Sequence, residues 1–161
     1  MILFVCTGNT CRSVMAEELL RRDWQLRGGN PKLEITSAGL AANPGERASR
    51  HVKALLAEKG IDTTAHSATP LDAALVKSAG LILVMTSNHR ESLLARFPEA
   101  ASKTFLLKEF AGIVGNNPDI TDPYGASLGK YRRIMEEIHD CISKFIVNLK
   151  GECFDEGGVG Q

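Results

Sequence analysis

A cysteine and an arginine near the N-terminus are separated by five residues, in the stretch Cys6-Thr7-Gly8-Asn9-Thr10-Cys11-Arg12-Ser13. This stretch follows an apolar run at residues 2–5 and precedes a helix-like segment that begins at Val14. Gly8 and Asn9 tolerate the left-handed backbone conformations that a tight loop requires. Such a loop can turn its backbone N–H groups toward one point at the helix N-terminus, where a phosphate-like dianion would be held.

The chemistry that these residue types can do is phosphoryl transfer to sulfur. Arg12 would add a planar fork that matches two phosphate oxygens. Inward-pointing N–H groups, the arginine and the helix N-terminus would hold Cys6 as the nucleophilic thiolate near neutral pH. A thiolate beneath a bound phosphoryl group indicates covalent catalysis through a thiophosphate intermediate. A structural cysteine in a strand-to-helix turn is the alternative for a lone cysteine, and the accompanying residues favour the catalytic interpretation.

Such a reaction also needs a carboxylic acid that protonates the leaving group and later deprotonates a water molecule. Asp122 is the candidate, because it lies in an irregular segment, residues 109–127, which is long enough to imply a function. Asp-Pro is also common turn chemistry, and it is the cysteine loop that favours a catalytic role. Ser13 is predicted to act partly as a helix N-cap and to stabilise the Cys6 sulfur when the thiophosphate breaks.

The rest of the chain alternates strand-like runs with helix-length amphipathic segments, which predicts a parallel sheet with helices on both faces. Strands are predicted at residues 2–5, 33–37, 81–85 and 103–107, and helices at 14–27, 48–60, 71–79, 88–97 and 128–149. Ligands bind such sheets at the carboxyl ends of the strands, which is where the cysteine loop leaves its strand. We expect residues 1–150 to form a single domain and residues 151–161, with four glycines, to form a flexible tail.

Composition excludes several classes of partner. The 161 residues, 43% of them apolar, suit one compact domain, and 19 basic residues balance 19 acidic ones. No general attraction to nucleic acid or to an anionic membrane is therefore expected. The chain has no apolar run near the roughly 18 residues of a membrane helix, and no signal-peptide pattern. From these two absences we expect a cytoplasmic protein, and we expect it to be a monomer without a cofactor. The cysteines at 6, 11, 141 and 153 do not form a zinc pattern, so no metal is expected.

The cysteine loop after an N-terminal strand, with Asp122-Pro123-Tyr124-Gly125 late in the chain, resembles the signature of the low-molecular-weight protein phosphatases. Further similar elements follow in the same order: Ser37-Ala38-Gly39, the His66 segment, Met85-Thr86 and Leu107-Lys108-Glu109. The resemblance covers about residues 1–149. It implies a phosphotyrosine-phosphatase-I-like three-layer α/β sandwich with a four-stranded parallel sheet in the order 2-1-3-4, and phosphorylated proteins as substrates.

The resemblance also implies that Ser37 and His66 brace the loop by hydrogen bonding to Asn9. From composition alone, His66 would be a surface histidine, and the other histidines, at 51, 89 and 139, are expected to be solvated. Cys11 lies on the same tight loop as Cys6. It would either form a disulfide that protects Cys6 from overoxidation or fill the underside of the loop, and the sequence does not decide between the two.

Substrate selectivity depends on two residues, Thr10 and Tyr124. Tyr124 can stack on a phosphotyrosine ring or on the guanidinium of phosphoarginine. Thr10 resembles the bacterial protein-arginine phosphatase branch, whereas the tyrosine-specific branch usually carries isoleucine there. The Thr10 hydroxyl could bond a guanidinium N–H or the attacking water, and a polar pocket group discriminates strongly between substrates. Phosphoarginine is therefore the favoured substrate and phosphotyrosine the alternative.

The chain departs from the family in two places and leaves one more distant alternative. Val14 stands where the family usually has proline, and Tyr124 where the arginine branch often has phenylalanine. A thiol-dependent arsenate reductase uses a similar loop, but it needs two further cysteines that relay a disulfide along a mobile segment. Cys141 and Cys153 are instead predicted to lie on a core helix and in the tail, which disfavours this alternative.

Overall fold

Four parallel strands form one sheet in the computed structural model, which describes residues 1–154 with side chains through residue 149. The strands are β1 (Ile2–Cys6), β2 (Ile35–Gly39), β3 (Leu81–Val84) and β4 (Thr104–Leu106). Their order is β2-β1-β3-β4, and each neighbouring pair is parallel. The α/β fold predicted from the sequence, including the 2-1-3-4 order implied by the family resemblance, is confirmed.

Six α-helices connect or flank the strands in the described part of the chain. They are α1 (Arg12–Leu26), α2 (Arg50–Glu58), α3 (Ala73–Ser78), α4 (Ser87–Arg96), α5 (Leu107–Phe110) and α6 (Leu128–Phe154), with a 3-10 helix at Pro98–Lys103. Helix α6 continues past residue 151, where the tail was predicted to begin, and residues 155–161 of that predicted tail lie outside the described residues. None of the described helices is long and apolar enough to cross a membrane.

The sheet separates two apolar cores, because neighbouring side chains of a strand point to opposite faces. In β1, Phe4 and Cys6 pack with apolar residues of α1, α2 and α6, whereas Leu3 and Val5 pack with residues of α3 and α4. All five residues of β1 are buried, as expected for a central strand covered on both sides. Leu128, the first residue of α6, is 40% exposed, although it belongs to the amphipathic segment 128–149 whose apolar residues are expected to face the sheet.

The strands deliver the functional loops to one edge of the sheet. Strand β1 ends at Cys6, opposite Gly39 at the end of β2, and β3 ends one strand away on the other side. The residues after β2 are tied to the cysteine loop, since Leu40 donates its N–H to the Cys6 carbonyl and Ala41 to the Thr7 carbonyl, both at 2.9 Å. The loop after β1 therefore rests directly on the chain that leaves β2.

Gly39 allows this close approach of two backbone segments. A Cβ atom at Gly39 would lie 2.6 Å from the Thr7 carbonyl oxygen and 3.0 Å from the Asn9 nitrogen. These distances are shorter than van der Waals contact, and the atoms concerned are backbone atoms that cannot rotate away. Gly80, which immediately precedes β3, provides a contrast because a Cβ there would come no closer than 3.9 Å to its nearest neighbour, the Met1 carbonyl oxygen.

We therefore expect Gly39→Ala to lower the free energy of unfolding by about 1–3 kcal/mol, the usual cost of overpacking a rigid site. Gly80→Ala is the matched control and should be neutral or slightly stabilising, because it restricts the unfolded chain without a clash. Urea denaturation of both variants and the wild type measures the difference. Equal stability of the two variants would contradict the close backbone approach at Gly39.

Candidate active site

The loop between β1 and α1 wraps around a point above the end of the central strand. Asn9 is the one non-glycine residue in the described part of the chain with a positive φ, at 55°. Within residues 1–154, the backbone N–H groups from Gly8 to Ser13 have no hydrogen-bond acceptor. Free N–H groups in a tight loop before a helix form a site for an anion.

Helix α1 begins at Arg12, two residues earlier than predicted, and this changes the role of Ser13. Cys11 occupies the N-cap position and makes no side-chain capping hydrogen bond. The predicted N-cap role of Ser13 is therefore wrong. Its side chain lies in the first turn of the helix and is directed instead toward Cys6, with Ser13 Oγ 3.0 Å from Cys6 Sγ.

The side chain of Asn9 holds the loop from behind. Its Nδ2 donates to Ser13 Oγ at 2.9 Å and to Ser37 Oγ at 2.8 Å, and its Oδ1 accepts from the Thr69 N–H at 2.9 Å. His66 Nε2 lies 2.8 Å from the Asn9 carbonyl oxygen. The two residues that the resemblance implied as braces thus both contact Asn9, His66 through the backbone. Every polar atom of the buried Asn9 side chain is satisfied.

These hydrogen bonds fix the direction in which each hydroxyl donates. Ser37 Oγ donates to the carboxylate of Glu17, so it accepts from Asn9. Asn9 Nδ2 has two hydrogens and uses both, one for each serine. Ser13 Oγ accepts one of them, which leaves its own hydrogen for Cys6 Sγ. The network therefore presents a hydrogen-bond donor to the sulfur, and such a donor stabilises a thiolate.

Glu17, which closes this network, was missed by the sequence analysis. It is 8% exposed, and Arg21, one helical turn away, lies 2.6 Å from its Oε1. Glu17 and Arg21 are four residues apart, which is the usual spacing of an ion pair on the surface of a helix. The sequence therefore did not indicate that Glu17 is buried. Burial of the carboxylate arises from the contact of α1 with β2, which is a tertiary feature.

Arg12 links the loop to the long irregular segment near the C-terminus. It is 4% exposed, its Nη1 donates to the Ile120 carbonyl at 2.9 Å, and its Nη2 lies 3.6 Å from Asp122 Oδ2. The Ile120 N–H in turn donates to the Met85 carbonyl, just past β3, at 2.8 Å. Asp122 itself accepts from the Tyr124 N–H at 3.0 Å and is solvent-exposed. The carboxylate is thereby held at the opening of the cradle.

A cavity of about 250 Å³ brings the predicted residues together from both ends of the chain. Its lining consists of Cys6, Thr7, Gly8, Thr10, Cys11, Arg12, Ala41, Asn43, Glu46, Asp122 and Tyr124. Cys6 is 2% exposed and forms the floor, whereas Tyr124 is 84% exposed and stands at the rim. Asn9, Ser13, Ser37 and His66 do not line the cavity and support the loop from behind. A buried sulfur beneath free N–H groups, with an arginine and a carboxylate at the opening, can accept a phosphoryl group.

His89 was expected to be solvated, and this prediction is wrong. It is 6% exposed, and its Nε2 lies 2.9 Å from Thr7 Oγ1 in the loop. Burial and, to a smaller extent, the positive charge of Arg12 lower the pKa of His89 to about 4. The ring is therefore neutral at pH 7. His139 is 27% exposed, and its Nε2 lies 2.8 Å from Asp23 Oδ2. His51 packs against the ring of Tyr131, with a centroid separation of 4.8 Å.

Cys11 packs beneath the loop against α6. Its Sγ lies 3.7 Å from the Tyr131 hydroxyl, and burial, together with this contact, raises the pKa of Tyr131 to about 12. Cys6 and Cys11 are both buried free thiols, and a disulfide between them stays a prediction. Burial also raises the pKa of the Cys141 thiol to about 11, which makes this cysteine unreactive near neutral pH. No cluster of three metal-ligating side chains occurs among the described residues.

The comparisons with known proteins agree with this geometry. The profile described as low molecular weight phosphotyrosine protein phosphatase matches residues 1–154. A protein-arginine-phosphatase of Geobacillus stearothermophilus is 44% identical over 94% of this chain and 97% of its own length. The low molecular weight protein-tyrosine-phosphatase Ptp of Acinetobacter johnsonii is 40% identical over 92% of this chain and 96% of its own.

Solved structures give the same result. The YwlE arginine phosphatase from Geobacillus stearothermophilus superimposes with a TM-score of 0.88 at 40% identity, and covers 99% of this chain and 98% of that one. A low molecular weight protein tyrosine phosphatase from T. tengcongensis gives a TM-score of 0.84 at 40% identity, over 91% of this chain and 97% of that one. The chain belongs to the low molecular weight phosphotyrosine protein phosphatase family.

The neutral state of His89 predicts a specific dependence of stability on pH. Because its pKa in the folded protein is about 4 and its ordinary value is 6.5, the unfolded chain binds more protons between these values. The contribution of the neutral His89 ring to the free energy of unfolding is fully present above pH 6.5 and is lost as the pH falls toward 4. His89→Gln, which keeps an amide group near the Nε2 position, should lack this component of the pH dependence. Urea denaturation from neutral pH downward measures it, and parallel profiles for the two proteins would contradict a buried neutral His89.

Proposed function

We propose that this protein is a protein-arginine phosphatase in which Cys6 accepts the phosphoryl group. The observation that carries the proposal is the position of Cys6 Sγ, 3.0 Å from a donating Ser13 hydroxyl, at the floor of a cradle of free N–H groups. The cradle holds the phosphoryl oxygens, and the Arg12 guanidinium neutralises part of their charge. The family assignment supports the cysteine-dependent reaction, and phosphorylated proteins are the corresponding substrates.

The reaction takes place in two steps. The Cys6 thiolate attacks phosphorus, the S–P bond forms, and the P–N bond to the arginine side chain breaks while Asp122 gives its proton to the leaving nitrogen. Asp122 then removes a proton from a water molecule, whose oxygen attacks phosphorus and displaces the thiolate. The Ser13 hydroxyl stabilises the departing sulfur, and inorganic phosphate leaves. The position of Asp122 at the pocket opening, 3.6 Å from Arg12, supports both proton transfers.

The preference for phosphoarginine is supported by Thr10 and by the relatives. Thr10 lines the catalytic pocket, and its carbonyl is fixed by the Ser49 N–H at 3.0 Å. Its hydroxyl offers a hydrogen bond to a guanidinium N–H or to the attacking water. The relative from Geobacillus stearothermophilus that is 44% identical is named a protein-arginine-phosphatase.

Phosphotyrosine hydrolysis is the second candidate, because Tyr124 on the pocket rim offers a stacking surface to an aromatic ring. The relative from Acinetobacter johnsonii, which is named a protein-tyrosine-phosphatase, agrees with this candidate.

An arsenate reductase that relays a disulfide through Cys141 is not supported, since Cys141 is fully buried in α6. For Cys6 and Cys11, which share one loop, we propose a disulfide under peroxide stress; the position of both free thiols in the lining of the catalytic pocket supports this role.

The test compares the rates of hydrolysis of two peptides that differ only in the phosphorylated residue. Wild-type kcat/KM should be higher for phosphoarginine than for phosphotyrosine. Thr10→Ile removes a hydrogen bond worth roughly 1–3 kcal/mol when its partner stays unpaired, so phosphoarginine kcat/KM should fall by about one to two powers of ten. Phosphotyrosine kcat/KM should hold or rise, because the cradle is intact.

The control is Thr64→Ile, the same substitution at an exposed threonine outside the catalytic pocket, which should change neither rate. A wild-type enzyme that prefers phosphotyrosine, with Thr10→Ile changing neither rate, would replace the proposal by the phosphotyrosine candidate. An equal loss on both substrates would show only that the loop had been damaged, and would remove the support that Thr10 gives to phosphoarginine.

A further inference from the structure

A second carboxylate besides Asp122 lies in the wall of the catalytic pocket. It belongs to Glu46, in the turn that connects β2 to α2. Gly45, which precedes it, has a φ of +84°, a conformation that glycine adopts without strain. Glu46 was not predicted from the sequence, because a glutamate in a surface turn has no pattern that distinguishes it from a solvated charge.

The turn that carries Glu46 is fixed relative to the cradle. The Glu46 N–H donates to the Asn43 carbonyl at 3.1 Å, and its carbonyl accepts from the Ala68 N–H at 2.8 Å. The Gly45 N–H donates to the Ala68 carbonyl at 3.1 Å, so the turn and the segment around Ala68 are joined by two hydrogen bonds. This same segment supplies Thr69, whose N–H holds the Asn9 side chain. The backbone of Glu46 and the phosphate cradle are therefore anchored to one piece of chain.

The exposed side chain of Glu46 makes one long contact within its own turn. Asn43 Nδ2 donates to Glu46 Oε2 at 3.4 Å, and Asn43 also lines the pocket. This contact uses one carboxylate oxygen weakly and leaves further acceptor sites on both oxygens. Glu46 can therefore accept hydrogen bonds from a molecule in the pocket without breaking its contact with Asn43.

The charge of Glu46 is unfavourable for an ordinary phosphate ester. Arg12, Asp122 and Glu46 line the pocket, and because Asp122 carries the proton for the leaving nitrogen, Glu46 is the negative charge that faces the bound phosphoryl dianion. A carboxylate near the dianion raises the free energy of the complex by Coulomb repulsion. A tyrosine ring between the two charges has no N–H groups that would compensate.

A phosphorylated guanidinium changes this balance. Its phosphoryl group is bonded directly to a guanidinium nitrogen, and its other N–H groups point away from phosphorus, out of the cradle. A carboxylate at the pocket wall can accept these N–H groups in a charge-assisted hydrogen bond. The same negative charge then favours one substrate and disfavours the other.

We infer that Glu46 is a specificity-determining residue of the catalytic pocket, which accepts guanidinium N–H groups of phosphoarginine and repels phosphate esters without an adjacent cation. The inference rests on the proposed function and deepens it. Asp122 serves the nitrogen that leaves phosphorus, whereas Glu46 serves the remaining N–H groups. Thr10 and Glu46 thus act on different parts of the same substrate.

The test uses Glu46→Gln, which removes the charge and retains an oxygen that can accept from Asn43. The kcat/KM for the phosphoarginine peptide should fall by about three- to ten-fold, the loss of a charge-assisted hydrogen bond at an exposed position. The kcat/KM for the phosphotyrosine peptide should hold or rise, and the inhibition constant of inorganic phosphate should decrease. Glu91→Gln, an equal change of charge on an exposed residue outside the pocket, is the matched control and should alter none of these values.

Two results would overturn the inference while leaving the proposed function intact. One is an active wild-type arginine phosphatase in which Glu46→Gln changes neither the phosphoarginine nor the phosphotyrosine kcat/KM. The other is an equal loss on both substrates, which would assign Glu46 a purely structural role in its turn. A wild-type protein that does not hydrolyse phosphoarginine would instead overturn the proposed function, so the two failures are distinguished by the wild-type measurement alone.

Discussion

The left-handed backbone of Asn9 is the constraint on which the site depends. This conformation costs most non-glycine residues roughly 1–2 kcal/mol, and asparagine tolerates it because its short polar side chain can hydrogen-bond locally. Asn9 takes part in four hydrogen bonds behind the loop. Their partners belong to β2, to α1 and to the segment after α2, so the loop is shaped by the whole fold. With the backbone turned in this way, the N–H groups of residues 8–13 find no acceptor in the described part of the chain and can bind an anion. The cradle is therefore preformed, and its formation does not have to be driven by the substrate.

Two further sets of contacts position the reactive groups, namely the Cys6 sulfur and the Asp122 carboxylate. The ordered donation from Asn9 to Ser13 and from Ser13 to Cys6 delivers a hydrogen bond to the sulfur, and the buried Glu17 carboxylate fixes its direction from the other end. Arg12 spans the distance between the loop and the C-terminal segment through the Ile120 carbonyl, which brings Asp122 to the pocket. The parallel sheet brings the loop and Asp122 together because it places the carboxyl ends of all its strands at the same edge. A neutral His89 beside Thr7 supports the loop without adding charge.

The fold was largely predictable from the sequence, because apolar runs and amphipathic periods record which faces are buried. The four strands and their helices follow from these local patterns, whereas the strand order came from the family resemblance. Cys6, Arg12 and Asp122 were recognised by residue type and spacing, and the structure brings them into one pocket. The residues that were missed, Glu17, His89 and Glu46, depend on contacts between distant segments. Nothing in their local sequence distinguishes a buried or pocket-lining side chain from a solvated one, and the start of α1 at Arg12 was likewise set by the loop geometry.

The covalent intermediate is the most direct test of this account, which places the phosphoryl group on Cys6 before water releases it. The measurement is mass spectrometry of the enzyme during turnover of a phosphoarginine peptide, after a denaturing quench at neutral pH that preserves the S–P bond. With an activated aryl phosphate, whose leaving group needs little protonation, Asp122→Ala should increase the amount of intermediate, because only water activation is then slowed. One added phosphoryl group is expected on the peptide that contains Cys6. Phosphate release at the full rate from a Cys6→Ser variant, with no phosphorylated protein at any time, would contradict it.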